Sequence, residues 1–257
     1  MAKETKSPLK FSPLRVPGQS LGERMIDNAY DTIVAPFMIA LLLAVLAALE
    51  WLRWYLGRPP SPWLYTVIAA LAALWAVWRV RRGFAQAAAL RLGRDGERAV
   101  AQYLEWFRTK DFYVFHDVPT GDANIDHVLI GTRGLYVIET KTLSKPVRGA
   151  CSITLSDGRL LANGRPLDRD PITQAKAEAR WLYNFLAESR FRQFVQPVVV
   201  LPGWYVEKVD MKALGAWVLE PKALDAFVEN QPVALSQDQV RAMASALSSH
   251  IRSQSRL

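Results

Sequence analysis

The stretch NIDHVLIGTRGLYVIETK, residues 124–141, decides how this chain folds. It reads as two apolar, β-branched strands joined by the turn GTRG, yet it carries Asp126, Glu139 and Lys141. Side chains alternate along a strand, so Leu135, Val137, Glu139 and Lys141 share one face, and Tyr136, Ile138 and Thr140 the other. Asp126 shares its face with Val128 and Ile130. A tight turn at residues 131–134 lays Asp126 beside the Glu139/Lys141 end of the partner strand. Three ionisable groups then converge at one end of an apolar hairpin, where uncompensated burial is expensive. Two accounts fit. One is a salt-bridged structural cluster. The other is a divalent-metal site, in which two carboxylates hold Mg²⁺ (or Mn²⁺) and the lysine orients a hydrolytic water and offsets phosphate charge.

The flanking segments supply a scaffold for that hairpin. Upstream, GRDGERAVAQYLEWF spaces Val100, Tyr103, Leu104 and Phe107 as one helix face does. Glu97 stands near the start of that helix, on the face of Val100, Ala101 and Leu104. A carboxylate there either complements the helix N-terminal dipole, as Asp95 would, or reaches inward. FYVFHDV, residues 112–118, reads as a strand followed by the polar loop PTGDAN. Downstream, SITLSDGRLLANGRPL reads as a hairpin with Asp157-Gly158 and Asn163-Gly164 turns. FVQPVVVLP is a short apolar strand, central in the sheet, and GAWVLEP an edge strand. SQDQVRAMASALSSHI is a closing amphipathic helix with Ser236 as N-cap and Val240, Met243, Ala244, Leu247 and Ile251 facing inward.

DPITQAKAEARWLYNFL gives a helix whose apolar face is Ile172, Ala175, Ala179, Leu182 and Phe185. Gln174 borders that face, as an ordinary boundary glutamine or as a site residue. His127 points to the strand face opposite Asp126 and is not taken as a ligand. His116 and His250 stand isolated and receive no role. The single cysteine, Cys151, excludes an intrachain disulfide and a thiolate cluster, and is read as a small core residue.

The net charge of +8 is unevenly spread over the 257 residues. Residues 1–91 hold 11 basic and 5 acidic side chains, whereas residues 92–257 hold 21 and 19. The basicity therefore belongs mostly to the N-terminal third and is not by itself a nucleic-acid signature. That third contains two apolar runs, IVAPFMIALLLAVLAAL (residues 33–49) and WLYTVIAALAALWAVW (residues 63–78). With their flanks each approaches the roughly 20 residues that cross a bilayer as a helix. Trp51, Trp54, Tyr55, Trp63 and Tyr65 crowd the shared end as an aromatic belt, and RWYLGRPPSP forces a turn.

Lysines and arginines gather before and after the pair and are sparse in the connector, so the positive-inside rule places both termini in the cytoplasm. The expected organisation is a flexible cytoplasmic tail over residues 1–32, a two-helix transmembrane hairpin over residues 33–82, and an α/β domain over residues 92–257. RRGF and AQAAALRLG continue the second helix beyond the membrane. The setting is a bacterial-type inner membrane, and the alanine-rich AALAAL offers a surface for self-association into a homo-oligomer.

Gly96-Glu97 on a helix, then Ile125-Asp126-His127, then Ile138-Glu139-Thr140-Lys141 resembles the NERD (nuclease-related) domain, a family placed in the PD-(D/E)XK, restriction-endonuclease-like superfamily. The resemblance covers roughly residues 92–200 and includes DPITQAKAEARWLYNFL as the family's proline-then-glutamine helix. It implies a restriction-endonuclease-like mixed sheet flanked by helices. It implies Asp126 and Glu139 as metal ligands, Lys141 as the catalytic lysine, and Glu97 and Gln174 as accessory positions. Thr142 departs from the asparagine that family members often carry after the lysine.

The expected activity is metal-dependent hydrolysis of nucleic acid, DNA favoured over RNA. The competing expectation is a catalytically silent, membrane-tethered module that binds nucleic acid or protein on the same fold. Lys145, Arg148, Arg159, Arg165 and Arg169, in the loops after the Lys141 strand, are candidates for a phosphate-backbone track.

Overall fold

The computed structural model describes residues 16–19, 22–23, 26, 32, 34–58, 62–121, 123–146, 151–156, 158–167, 169–207 and 210–254. Most of the expected tail, the tandem prolines of the connector, Arg148 and Asp157 lie outside the described residues. Contacts divide the chain into two units, one within residues 20–91 and one formed by residues 92–254 with residues 16–19.

The first unit is built on α1 (Ala35–Tyr55) and the first part of α2 (Pro62–Glu105). Both helices are long and apolar enough to cross a membrane, and 21 residues of α1 span about 30 Å. Their surfaces carry exposed Leu41, Leu42, Leu49, Leu71, Leu74 and Trp78, which water would not favour. The helices meet near both ends. Trp51 Nε1 donates to Thr66 Oγ1 at 3.2 Å, and the Trp51 ring packs edge-on to Trp63. A Cβ added at Gly83 would lie 1.7 Å from Thr32 Cγ2, so glycine permits that close approach. Thr66 and Gly83 are roughly 25 Å apart along the axis, comparable with a hydrocarbon core.

The second unit is a mixed α/β fold. Strands β1 (Tyr113–Pro119), β2 (Asn124–Gly131), β3 (Gly134–Thr140), β7 (Val195–Val200) and β9 (Trp217–Leu219) form a five-stranded sheet in the order β1-β2-β3-β7-β9. The first three are antiparallel neighbours, whereas β3, β7 and β9 run parallel. The turn falls where the sequence placed it, with Gly131 paired to Gly134.

Alternation assigns the two faces. Val128, Ile130, Leu135 and Val137 pack beneath Ala179, Leu182 and Leu186 of α3 (Pro171–Glu188) and Met243, Leu247 and Ile251 of α6 (Gln237–Gln254). Leu129, Tyr136, Ile138 and Val198 pack on the other side against Val100 and Leu104 of α2 and Leu224 and Val228 of α5 (Leu224–Glu229). Covered on both faces, β7 reads as a nearly continuous apolar run. The short helix α4 (Met211–Leu214) leads into β9. The expected cap of α6 is present: Gln239 N–H donates to Ser236 Oγ at 3.3 Å, and Ser236 N–H donates back to Gln239 Oε1 at 2.9 Å.

A second sheet, ordered β6-β5-β4-β8, holds β4 (Ser152–Ser156), β5 (Arg159–Ala162), β6 (Arg165–Pro166) and β8 (Tyr205–Val206). Its buried face, with Ile153 and Leu160, closes a third cluster with Ile172, Ala175, Val199 and Val218. Partly buried Cys151 packs there, as a small apolar residue would. The chain enters this sheet after β3, leaves it into α3, and returns to it after β7.

The sequence suggested that the helix bearing Glu97 begins near that residue. It does not. α2 runs unbroken from Pro62 to Glu105, so Glu97 lies deep inside a helix, far from any N-terminal dipole. The glycines at 83, 93 and 96 weaken such a helix without ending it.

Leu182, fully buried between α3 and the sheet, anchors the helix that carries Gln174. Leu182→Ala is expected to lower stability by about 2–5 kcal/mol in chemical denaturation of the second unit's signal. A loss under about 1 kcal/mol would place α3 outside the core described above.

Candidate functional site

The antiparallel register of β2 and β3 carries Asp126 to the end of β3. His127 pairs with Ile138, and one step beyond it Asp126 Oδ2 accepts a hydrogen bond from Thr140 N–H at 2.8 Å. Glu139 is buried, on the face that packs under α3. From α3, the Gln174 Nε2 amide donates to Glu139 Oε2 at 2.9 Å and to Glu178 Oε1 at 3.0 Å. Gln174 and Glu178 are four residues apart on one helix, so they present side chains one above the other. Gln174 itself is exposed, whereas Glu178 is only 7% exposed and its Oε2 is buried without a hydrogen-bond partner. The structure thus joins Asp126, Glu139 and Gln174, and adds Glu178.

Glu178 was not singled out from the sequence. Its signal was there: it occupies an inward position between Ala175, Ala179 and Leu182, where a carboxylate needs a reason. Asp117 was missed as well. It is buried in β1 with φ +51°, between the pairs His116↔His127 and Val118↔Ile125, and accepts from Asn124 Nδ2 at 2.9 Å. An aspartate tolerates this left-handed backbone better than most residues.

These acids raise one another. Desolvation, ahead of the charge of Asp117, pushes Asp126 up to about 7, although Thr140 N–H and Lys141 pull it down. Burial is the largest cause for Glu139 too, which lies well above the ordinary carboxylate range, with Asp126, Glu178 and Glu97 adding to it and Lys141 opposing. Burial also lifts Glu178 to about 8, with Asp126 adding to it, against hydrogen bonds with Gln174 and Glu139 that lower it. Lys141 continues β3 by donating its N–H to Val200 O at 2.9 Å, and it forms no ion pair among the described residues. The salt-bridged structural cluster is therefore not what the geometry presents.

Glu97 is buried, and its charge is felt at Glu139. Its position depends on Gly96, where an added Cβ would lie 1.6 Å from Thr142 Oγ1. A helix glycine against the compact Thr142 side chain seats α2 on the residue after Lys141. That contact gives Gly96 and Thr142 a joint structural reason.

The donor set suits a divalent cation on two observations. Mutually destabilising carboxylates outnumber the one nearby lysine, and a buried Glu178 oxygen has no partner. Among the described residues, no three His, Cys, Asp or Glu side chains gather as they stand closely enough to hold a metal ion.

The histidines lie elsewhere. His127 points away from Asp126, as expected, and its Nδ1 meets His116 Nδ1 at 2.8 Å. His116 is not isolated: its Nε2 lies 3.1 Å from Glu105 Oε1. Burial lowers both imidazoles, so both are neutral. Since Glu105 accepts from His116 Nε2–H, His116 Nδ1 must accept from His127. His250 Nε2 bonds Pro119 O at 2.8 Å.

Of the basic loop residues, Arg159 and Arg169 line a cavity of about 320 Å³ beside Asp170 and Pro171. Asp170 is committed to capping α3, accepting from Ile172 N–H and Thr173 Oγ1. Arg165 is exposed on β6.

The family model of the nuclease-related domain, NERD, matches residues 92–202, the segment from α2 through β7 that contains every acid described above. No curated protein and no solved structure matches the chain.

Two outcomes follow from this geometry. Gly96→Ala is expected to displace Thr142 and the end of β3, lowering the melting temperature by several degrees, as a clash costing about 1–3 kcal/mol would. An unchanged melting temperature would mean that α2 does not seat there. The second concerns pH. Between their unfolded values near 4 and their folded values of about 7 and 8, Asp126 and Glu178 hold protons that the unfolded chain has released. Stability therefore falls as pH rises through that window. Near pH 6.5 the unfolded chain still protonates the two histidines in part, which offsets some of the fall; above about pH 7.5 they are neutral in both states. Melting in chelator should drop from pH 6.5 to 8.5, and Glu178→Gln should flatten the drop. A rise with pH would contradict the assignment.

Proposed function

We propose that the nuclease-related unit hydrolyses phosphodiester bonds of nucleic acid with the help of a divalent cation, Mg²⁺ or Mn²⁺, and acts on DNA in preference to RNA. The observation that carries the reading is half-buried Asp126 beside buried Glu139, with Lys141 next to them and in no ion pair among the described residues, within a segment that matches the nuclease-related domain.

Asp126 and Glu139 are the residues that would hold the cation. When bound, such an ion supplies Lewis-acid polarisation of the phosphate and a more acidic water. The chain's own residues do the rest. Thr140 N–H fixes the Asp126 carboxylate, so its orientation costs nothing on binding. Lys141, on the same face as Glu139, orients the hydrolytic water and offsets charge that grows on the phosphate. Gln174 holds Glu139, and Glu97 supplies accessory negative charge from α2. Arg159 and Arg169, next to the start of the helix that carries Gln174, receive the phosphate backbone.

The two apolar helices tether this activity to a membrane, with residues 33–82 as a hairpin and both termini on the cytoplasmic side. Their support is length, composition and exposed apolar surface.

The test is cleavage of labelled DNA and RNA by the full chain in detergent, with Mg²⁺, with Mn²⁺ and with chelator. Cation-dependent cutting is expected, with Lys141→Met and Asp126→Asn each reducing the rate about 100-fold or more. Arg159→Glu/Arg169→Glu should weaken substrate binding and its salt dependence, with a smaller effect on the rate at saturation. A folded chain that cuts neither nucleic acid under any of these conditions would overturn the reading.

A further inference from the structure

Beyond Lys141, a second cation reaches the end of the sheet that holds the acids. α2 crosses the sheet from the hairpin turn to that end. Its Phe107 ring packs edge-on to Phe112, which lies against Gly131, and its Gly96 seats on Thr142, two residues past the end of β3. Arg94 comes about 3 Å further along the helix axis, so it overhangs the rim beside Glu97.

This arginine is held in place but not satisfied. Residues 16–19 belong to the same unit and close a turn, with Gln19 N–H donating to Val16 O at 3.2 Å and Val16 N–H donating to Gln19 Oε1 at 3.3 Å. Gly18 of that turn is buried, with φ +67°, and a Cβ added there would lie 2.8 Å from Arg94 Cγ and 3.5 Å from Glu97 Oε2. The stem of Arg94 is therefore clamped, and little side-chain freedom is left to lose on binding. Glu97, one turn on, is the natural acid for it, yet the two form no ion pair. The guanidinium meets Asp95 at 3.5 Å, longer than a good charged hydrogen bond, and its Nε is buried with no partner.

From this placement we infer that Arg94 binds a phosphate of the nucleic-acid backbone at the rim of the acid-bearing site, with Gly18 as the residue that positions it. The inference rests on the nuclease reading above and adds to it a substrate contact from α2. A guanidinium presents paired N–H donors that match phosphate oxygens. The neighbouring carboxylates repel the same phosphate, so a fixed cation at the rim eases the approach of a polyanion. The nearly neutral charge of residues 92–257 leaves that task to individual side chains.

The experiment is fluorescence anisotropy of labelled DNA and RNA with the full chain in detergent, first in chelator and then with Ca²⁺, at salt from about 50 to 200 mM. Wild type is compared with Arg94→Met, Arg94→Lys and Gly18→Ala, each checked for fold by circular dichroism and melting. Arg94→Met is expected to weaken binding about 10-fold and to lower the slope of log affinity against log salt by about 1. Arg94→Lys is expected to keep the slope and recover part of the affinity, because it restores the charge without the planar fork. Gly18→Ala keeps the cation but shifts its stem, and should weaken binding less than Arg94→Met does. Should Arg94→Met fail to fold, Arg94→Gln decides on the same slope. An arginine that only supports the fold would lower the melting temperature without moving the salt slope. That result, or tighter binding by folded Arg94→Met, overturns the role of Arg94 and leaves the nuclease reading standing. A wild type that binds neither nucleic acid under either condition overturns both.

Discussion

Gln174 places one amide nitrogen 2.9 Å from Glu139 and 3.0 Å from Glu178, and so keeps two buried acids side by side. Much of the local structure follows from that crowding. Asp126 is secured by a backbone N–H, Glu139 by an amide, and Asp117 accepts from Asn124. Burial of this kind is costly and a packed apolar core would be more stable. The fold tolerates it because each strand and helix that bears an acid is fixed by an ordinary apolar face on the same element. β3 brings Glu139 on the row of Leu135 and Val137, and α3 brings Glu178 on the row of Ala175 and Leu182.

The hairpin acids were legible in the sequence because a strand has period two and the turn is short. Once GTRG is the turn, Asp126 and the Glu139 end of the partner strand can only meet. The parallel neighbours were less legible. FVQPVVVLP announces a buried strand, but nothing in it says that it lies beside β3, which a distant segment must choose. The place of Glu97 along its helix was misjudged. The apolar spacing from Val100 onward suggested a helix start near it, whereas α2 runs through the glycines at 93 and 96 without a break. Glu178 escaped notice because Gln-x-x-x-Glu on a helix boundary is also a common solvated pair, and only burial tells the two apart. The His116–His127 pair lies across two strands whose pairing had not been worked out, so neither residue could advertise the other.

The two units differ in how they handle their surroundings. In residues 20–91, large apolar side chains face outward; a hydrogen bond from Trp51 to Thr66 and the close approach of Thr32 to Gly83 mark where the segments meet. In residues 92–254 most apolar side chains are enclosed, and the buried polar groups gather at the end of β3 with Glu97 and Glu178 and at Asp117 and the His116–His127 pair. The basic excess read from the sequence lies in residues 1–91 as a whole and does not follow the boundary between the two units, because the basic residues 3, 6, 10 and 15 precede residue 20. The domain with the acids is nearly neutral and offers local arginines in place of a broad positive field.

The parallel pairing of β3 with β7 also orders events in time. Asp126 and Glu139 share a hairpin that closes locally and fast. Glu139 and Val199, by contrast, are register partners roughly sixty residues apart in the chain, a slow loop to close. While β7 is absent and α3 is undocked, the hairpin acids still face water and repel one another weakly. Their water is stripped only when the intervening segment folds down, so the electrostatic penalty is levied after the strands have met. In kinetic terms the acids weigh on the lifetime of the native state more than on the rate of reaching it, and a site strained in this way shortens that lifetime without obstructing the search for the fold.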